Sequence, residues 1–320
     1  MPNVLVLGGS GYLGFALCKS LVASGNYIVW GSARSPEKVK LLEQNEITPI
    51  EADITNPPTL STVIADNNID IVVDTTSAYE QAAQILDGVT QAAKARRDAL
   101  AKENTIGPKL GFVYCSGSWV HGSPSSRVSD LSPAGISLSK GKAATAVAWR
   151  PAHEQAILGA RDVLDVAILR PCAIYGRGSW VWGTWWGGIL KAKQNGNNEE
   201  AIQIPADIEA RTGTVHVDDV AAGFHAAVDR IDGRLGAWPV FDLVTETIGV
   251  QDITEAVKAA LGVTVPVEYT GTHGSPFLEA LSLVSKSDAS RARTVLGWEP
   301  KRKEFILNLP IYVRAWEAAQ

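Results

Sequence analysis

The 320 residues are 46% apolar and 20% charged, enough for one large α/β unit with a lobe grafted onto it. A net charge of −5 without a dense Lys/Arg stripe excludes nucleic acid as an expected partner, and Lys94, Arg96 and Arg97 read as one solvated helix face. Three scattered cysteines, Cys18, Cys115 and Cys172, suit neither a disulfide framework nor a zinc site and fit a reducing compartment.

No apolar run reaches the roughly eighteen residues that a membrane span requires. The apolar start, Met1 to Leu7, lacks a preceding basic segment and is interrupted at once by glycines. It therefore reads as a strand rather than an export signal, and the expected location is the cytoplasm.

In chain order, Val4–Leu7 reads as a buried strand and Tyr12–Ala23 as a helix stopped by Gly25. Tyr27–Ser32 is a second strand, and Pro36–Gln44 a helix with proline in its first turn. Thr48–Glu51 reads as a short strand, Thr59–Asn67 as a helix and Ile69–Thr75 as a β-branched strand. A long helix, Tyr79–Lys102, precedes strand Leu110–Cys115, and a helix at Pro151–Arg161 precedes strand Val166–Leu169. After Pro171 the texture changes: residues 176–200 are rich in Gly, Trp and Asn and show no readable alternation. Thr214–Val217 reads as a further strand leading into a helix at Val220–Val228. Beyond about 240 the elements shorten, with helices at Asp252–Leu261 and Ile306–Ala318. Repeated β-α-β units with apolar strands predict an α/β fold, a Rossmann-type doubly wound parallel sheet covered on both faces. Residues 1–172, with 212–230 returning to them, are expected to form this sheet domain, and 173–320 a smaller interwoven C-terminal substrate lobe.

Gly8, Gly11 and Gly14 stand at G-x-x-G-x-x-G spacing between a buried strand and a helix. The first glycine permits the tight turn, the second lets backbone approach a pyrophosphate, and the third lets helix pack on sheet. The helix N-terminus then offers free N–H groups to an anion. Gly8, Ser10, Gly11, Tyr12, Leu13 and Gly14 are thus expected to cradle a dinucleotide diphosphate. Twenty residues past Gly14 the sequence reads Ser32-Ala33-Arg34-Ser35, with no acid there for a ribose hydroxyl. Arg34 with Ser35 predicts a 2′-phosphate and hence NADP(H) over NAD(H). Asp53 and Ile54, after the third strand, are expected beside the adenine, and Thr75, Thr76 and Ser77, after the fourth, beside the ribose.

The glycine motif resembles that of the extended short-chain dehydrogenase/reductase superfamily, of the epimerase/dehydratase type. Val113-Tyr114-Cys115-Ser116-Gly117-Ser118-Trp119-Val120-His121-Gly122 is similar to its fifth-strand segment, and Arg170-Pro171-Cys172-Ala173-Ile174-Tyr175-Gly176 to its Arg-Pro-x-x-x-Tyr-Gly stretch. His216-Val217-Asp218-Asp219-Val220-Ala221 and Leu296-Gly297-Trp298-Glu299-Pro300 resemble two later landmarks, so the likeness spans nearly the whole chain. It implies a nicotinamide cofactor and a small-molecule substrate, with homodimers formed by many relatives. It also implies chemistry by a Ser/Thr, a Tyr and a Lys, the last two spaced Tyr-x-x-x-Lys.

Here the pattern departs. None of the seven tyrosines has a lysine four residues later. Matching Arg150 to Glu154 with the family's Lys-x-x-x-Glu puts Arg150 at the lysine, Ala146 at the tyrosine and Gly117 at the hydroxyl. Arg150 can grip the nicotinamide ribose, alongside Pro171, but cannot trade a proton. Ser116, Ser118, His121, His153 and Tyr175 are the remaining candidates for handling a substrate oxygen.

Trp180, Trp182, Trp185 and Trp186 crowd one window and either line a cleft for an apolar or aromatic substrate or glue the lobe to the core. The expected activity is an NADP(H)-dependent oxidoreductase or isomerase acting on a small apolar or aromatic carbonyl or hydroxyl compound. Two alternatives stand beside it: a catalytically degenerate NADP(H)-binding sensor, and a non-redox lyase, cyclase or isomerase on the same fold.

Overall fold

A strand buried at every position from Val4 to Leu7 has no face to give to water, so it must lie inside a sheet covered on both sides. In the computed structural model, which describes residues 1–198 and 200–320, it does. Seven parallel strands form the central sheet: β1 (Asn3–Leu7), β2 (Ile28–Ser32), β3 (Thr48–Ile50), β4 (Ile71–Asp74), β5 (Leu110–Cys115), β6 (Leu164–Pro171) and β7 (Val240–Leu243). Their spatial order is β7-β6-β5-β4-β1-β2-β3. The chain runs outward from β1 to β3, then crosses back to β4 on the other side of β1. This reversal opens a crevice beyond the carboxyl ends of β1 and β4.

Helices α1 (Tyr12–Ser24), α2 (Pro36–Glu43), α3 (Pro57–Asp66), α4 (Ala82–Lys102), α5 (Arg150–Gly159), α6 (Gly183–Gln194), α7 (Val217–Val228) and α8 (Val250–Leu261) follow in sequence. Leu13, Leu17 and Leu21 of α1 and Val220, Phe224 and Val228 of α7 share one core on one sheet face. Leu60 and Ile64 of α3, Ile85 and Val89 of α4 and Ile157 of α5 fill the core on the other face. Local chemistry sets the helix starts: the Asn56 side chain accepts from the Thr59 amide ahead of Pro57, and Ser35 caps α2 ahead of Pro36. All three cysteines are free thiols.

Three expectations are corrected. The expected helix at Tyr79 begins as a 3-10 turn, Tyr79–Gln81, and becomes α-helical only at Ala82. Within the expected 212–230, α7 packs on the central sheet, and the chain re-enters that sheet itself once more at β7. The strand expected at Thr214–Val217 spans Arg211–His216 and belongs to a separate three-stranded sheet, between Ala173–Tyr175 and Glu246–Gly249.

The third correction concerns the tryptophan window, which is helical. A 3-10 turn, Trp180–Trp182, leads into α6 and buries Trp182, Trp185 and Trp186 at 2% exposure or less. These rings pack with Phe305, Tyr312 and Trp316 of the last helix, Phe305–Glu317, in a core of their own. They hold the lobe together and do not line a cleft. Trp180 alone is exposed, at 68%, and stacks on Phe277 at 5.5 Å.

Candidate functional site

Of the residues expected to hold a dinucleotide, those at 8–14, 34–35, 53–54 and 75–77 follow the carboxyl ends of parallel strands, while Pro171 ends β6 and Arg150 opens α5. Gly8 leaves β1 in the left-handed region, at φ +78°, where a side chain is strained. A Cβ on Gly14 would stand 2.1 Å from the Gly8 carbonyl oxygen and 2.7 Å from Thr75 Oγ1, so only glycine lets α1 approach the turn. Gly11 is the N-cap of α1 and supplies no side-chain acceptor, which leaves the first-turn amides for an external anion.

Ser32, at the end of β2, was not singled out from sequence, yet it braces the cradle. Its hydroxyl accepts from the Gly8 amide at 2.7 Å, and its carbonyl accepts from Ser10 Oγ at 3.2 Å. Thr75 braces it from β4, donating to the Leu7 carbonyl at 2.8 Å. The Tyr12 hydroxyl reaches out of the cradle and donates to the Gly176 carbonyl at 2.6 Å, tying it to the entrance of the lobe. Beyond β2, Arg34 is exposed, while Ser35 is committed to capping α2. Asp53 is exposed after β3 and accepts from the Thr55 amide and hydroxyl through one oxygen, bonds that hold its carboxyl below the usual range. Ile54 lies beside it half-buried, and Thr76 and Ser77 follow β4 with partial to full exposure.

Deeper in the crevice the sequence candidates separate. Ser116 donates to Glu154 Oε1 at 2.5 Å, and Arg170 grips the same carboxylate with Nε at 3.0 Å and Nη2 at 2.5 Å. Arg170 Nη1 is 3.8 Å from Asp242, whose other oxygen is 2.8 Å from His121 Nε2. All five side chains are buried, so Ser116 and His121 are spoken for by an internal network. Tyr175 is fully buried and donates to the Arg302 carbonyl at 2.8 Å, which removes it from the catalytic candidates. His153 packs edge-on to the Tyr114 ring at 4.9 Å, and burial lowers its pKa. Ser116, His121, His153 and Tyr175 are therefore packing and network residues rather than cleft walls.

Ser118 is the exception. It lines a small hollow between sheet and lobe, about 10 Å³, with Trp119, Ala173, Arg211, Thr212, Gly213, Leu281 and Leu283 among its walls. Trp119 meets Phe277 edge-on at 6.2 Å, and Phe277 carries the exposed Trp180. Ala146, where the resemblance would place a tyrosine, lies in an apolar cluster with Ala144, Val147, Ala280 and Trp119.

Arg150 begins α5 below Gly117, and its guanidinium lies over the Tyr79 ring at 4.9 Å and the Trp149 ring at 5.6 Å. Tyr79 is a second residue not singled out from sequence. Nearby Asp74, at the end of β4, is 3% exposed; burial pushes its carboxyl up to about 6, against the pull of the Thr76 amide and Arg150. With the folded value above the unfolded 3.8, stability is full below pH 4 and falls as pH rises toward 6 and beyond. Asp74→Asn is expected to stabilise the protein at pH 7 by up to about 3 kcal/mol and to be near neutral at pH 4. Urea unfolding at the two pH values checks this; equal effects at both refute the assignment.

A seven-stranded parallel sheet of this order, with a glycine cradle at its reversal point, defines a Rossmann-like α/β protein. Residues 4–236 match the model of the NAD dependent epimerase/dehydratase family, and the chain belongs to that family. Solved structures share the architecture at low identity. The dTDP-glucose 4,6-dehydratase of Bacillus anthracis str. Ames, in complex with NAD, superposes with a TM-score of 0.72 at 16% identity, over 100% of this chain and 98% of that one. The UDP-glucuronic acid 4-epimerase of Bacillus cereus, with UDP-glucuronic acid and NAD, gives 0.69 at 21% identity, over 99% and 98%. The UDP-glucose 4-epimerase of Bifidobacterium longum, with NAD+ and UDP, gives 0.68 at 20%, over 99% and 98%. No curated relative matches the chain. Among the described residues no helix is long and apolar enough to cross a membrane, and no cluster of three or more His, Cys, Asp or Glu could hold a metal.

Proposed function

We propose that the chain binds NADP(H) in preference to NAD(H) and acts as an oxidoreductase or isomerase on a small carbonyl or hydroxyl compound. The observation that carries the dinucleotide reading is the contact of Gly14 with Gly8, a cradle that any side chain would fill. Its first-turn amides would bind the diphosphate. Arg34, exposed after β2, would pair with a ribose 2′-phosphate. Asp53 and Ile54 would meet the adenine, and Thr76 and Ser77 the ribose. When bound, the nicotinamide supplies hydride donation or acceptance. Arg150 and the Pro171 backbone would orient its ribose, and the Ser118 hydroxyl would orient the substrate oxygen.

The named neighbours were solved with NAD, one of them also with UDP and another with UDP-glucuronic acid. In this reading the substrate of this chain is a smaller compound with an apolar or aromatic portion, which the apolar side chains around Ser118, among them Trp119 with Phe277 and Trp180 behind it, would meet. In the same reading, residues 1–172 with 212–230 and β7 form the dinucleotide-binding part, and the rest of 173–320 the substrate lobe. Two copies would pair across α4 and α5, whose Leu86, Thr90 and Gly159 border a shallow surface hollow of about 370 Å³.

Arg34→Glu tests the cofactor choice. It is expected to weaken NADPH binding at least tenfold and NADH binding by less than half that factor, as loss of a charge-assisted contact implies. Calorimetry reads both, and equal losses refute the role. Ala146 supports a second reading, a sensor that kept the cradle and lost the proton donor. Single-turnover absorbance of bound NADPH with a panel of carbonyl compounds separates the two. Decay of the nicotinamide band supports redox chemistry, product with an unchanged band supports a non-redox lyase or isomerase, and no reaction with any compound supports the sensor.

A further inference from the structure

Arg150 is 7% exposed, yet its guanidinium makes no hydrogen bond or ion pair with any described residue, and its Nε is both buried and unpartnered. The acids near it are engaged elsewhere: Glu154 with Ser116 and Arg170, and Asp74 with the Thr76 amide. A cation withdrawn from water without a counter-ion is unfavourable unless something else compensates. Its long side chain also spreads over many rotamers unless something packs on it.

Two aromatic rings do both. Trp149 is the N-cap residue of α5, next in the chain to the arginine, and Tyr79 comes from the 3-10 turn that follows Thr75, Thr76 and Ser77. The rings stand 6.1 Å apart, tilted by 42°, with the guanidinium 4.9 Å from Tyr79 and 5.6 Å from Trp149. Neither ring belongs to a hydrophobic core cluster, and Tyr79 is 49% exposed, so core packing does not account for their placement. Ring faces use none of the guanidinium N–H groups, so the donor edge stays free for a ligand.

Gly117 supplies the room. It is extended, at φ −176°, a conformation open to any residue. A Cβ there would fall 2.6 Å from Arg150 Nη1, so it is the guanidinium, and not the backbone, that requires glycine at 117.

We infer that Tyr79 and Trp149 are positioning residues, which hold the Arg150 guanidinium in place for the nicotinamide ribose in the room left by Gly117. This rests on the dinucleotide reading above and goes beyond it by naming what sets the guanidinium.

Calorimetry on the full chain compares NADPH with 2′-phosphoadenosine 5′-diphosphate, the part of the cofactor that lacks the nicotinamide riboside. Tyr79→Leu and Trp149→Leu are each expected to weaken NADPH at least fivefold and the shorter ligand less than twofold, as loss of one ring contact implies. Tyr79→Phe, which keeps the ring, should restore the wild-type ratio. Gly117→Ala should show the same split as Tyr79→Leu, because its methyl displaces Nη1. In an Arg150→Gln background, Tyr79→Leu should have no further effect on either ligand. Should Arg150→Gln fail to fold by circular dichroism, the ligand ratio and the Tyr79→Phe rescue decide. Equal losses for the two ligands, unchanged NADPH binding in the Leu variants or in Gly117→Ala, no rescue by Tyr79→Phe, or a further loss in the Arg150→Gln background overturns the inference. If the wild-type protein prefers NADH, then NADH and ADP replace the pair of probes, and only the cofactor choice fails. Wild-type protein that binds neither dinucleotide overturns the dinucleotide reading itself, and this inference with it.

Discussion

Alanine at position 14 is expected to lower dinucleotide affinity roughly a hundredfold, the equivalent of losing two of the hydrogen bonds that the cradle amides can offer. In an ordinary helix the same change would stabilise by about 1 kcal/mol, because alanine restricts the unfolded chain and favours helix. The contact geometry reverses that sign. The added methyl would meet the Gly8 carbonyl oxygen at 2.1 Å, and that atom is backbone in a turn pinned by Ser32 and Thr75. Either α1 lifts from the sheet or the turn shifts, and overpacking of this kind costs about 1–3 kcal/mol. Both displace the amides from the anion. Calorimetry with NADPH and a thermal melt together check the expectation; a stabilised variant with intact affinity would show that the cradle has room after all.

The second large effect lies away from the cofactor. Arg170→Leu is expected to destabilise by about 3–5 kcal/mol, because it leaves a carboxylate uncompensated in the interior. Glu154 is 1% exposed and holds Ser116 of the segment after β5 and Arg170 of β6 on one carboxyl group. Replacing both partners, Arg170→Leu with Glu154→Leu, should recover part of the loss, since Glu154 is then no longer stranded and only Asp242 loses its guanidinium, keeping His121. Urea unfolding of the single and double variants gives the coupling directly. A loss below about 1 kcal/mol in Arg170→Leu would mean that water reaches Glu154. Glu154 also lies one turn after Arg150 on α5, so the pair fixes the helix that carries the guanidinium. The single variant should blunt ligand binding at temperatures where it is still folded.

The first six strands of the central sheet are legible in sequence because each is a short apolar run bounded by turn residues. β7 was not read, since it has four residues and one is Asp242, a charge that is buried only because Arg170 and His121 meet it there. The tryptophan window held a signal that composition obscured. Trp182, Trp185, Trp186 and Ile189 fall at i, i+3, i+4 and i+7, the stripe of an amphipathic helix, but interspersed glycines suggested loop. The cradle was readable because its geometry is local to seven residues. Ser116 and Tyr175 were misjudged for the opposite reason: their hydroxyl partners, Glu154 and Arg302, lie 38 and 127 residues away. Tyr79 read as a helix start, and only folding sets its ring against Arg150.

The late return of the chain to β7 has a practical outcome for anyone shortening this protein. A fragment ending before residue 240 strips β6 of its neighbour and removes Ala292, Leu296 and Trp298 from the core beneath α7. Ile168, Leu169, Arg170 and Pro171 of β6 would then present unpaired backbone groups along that margin, a template for other chains to add to. Such a fragment should aggregate, however complete its glycine turn, because nucleotide half and C-terminal half close each other's seams.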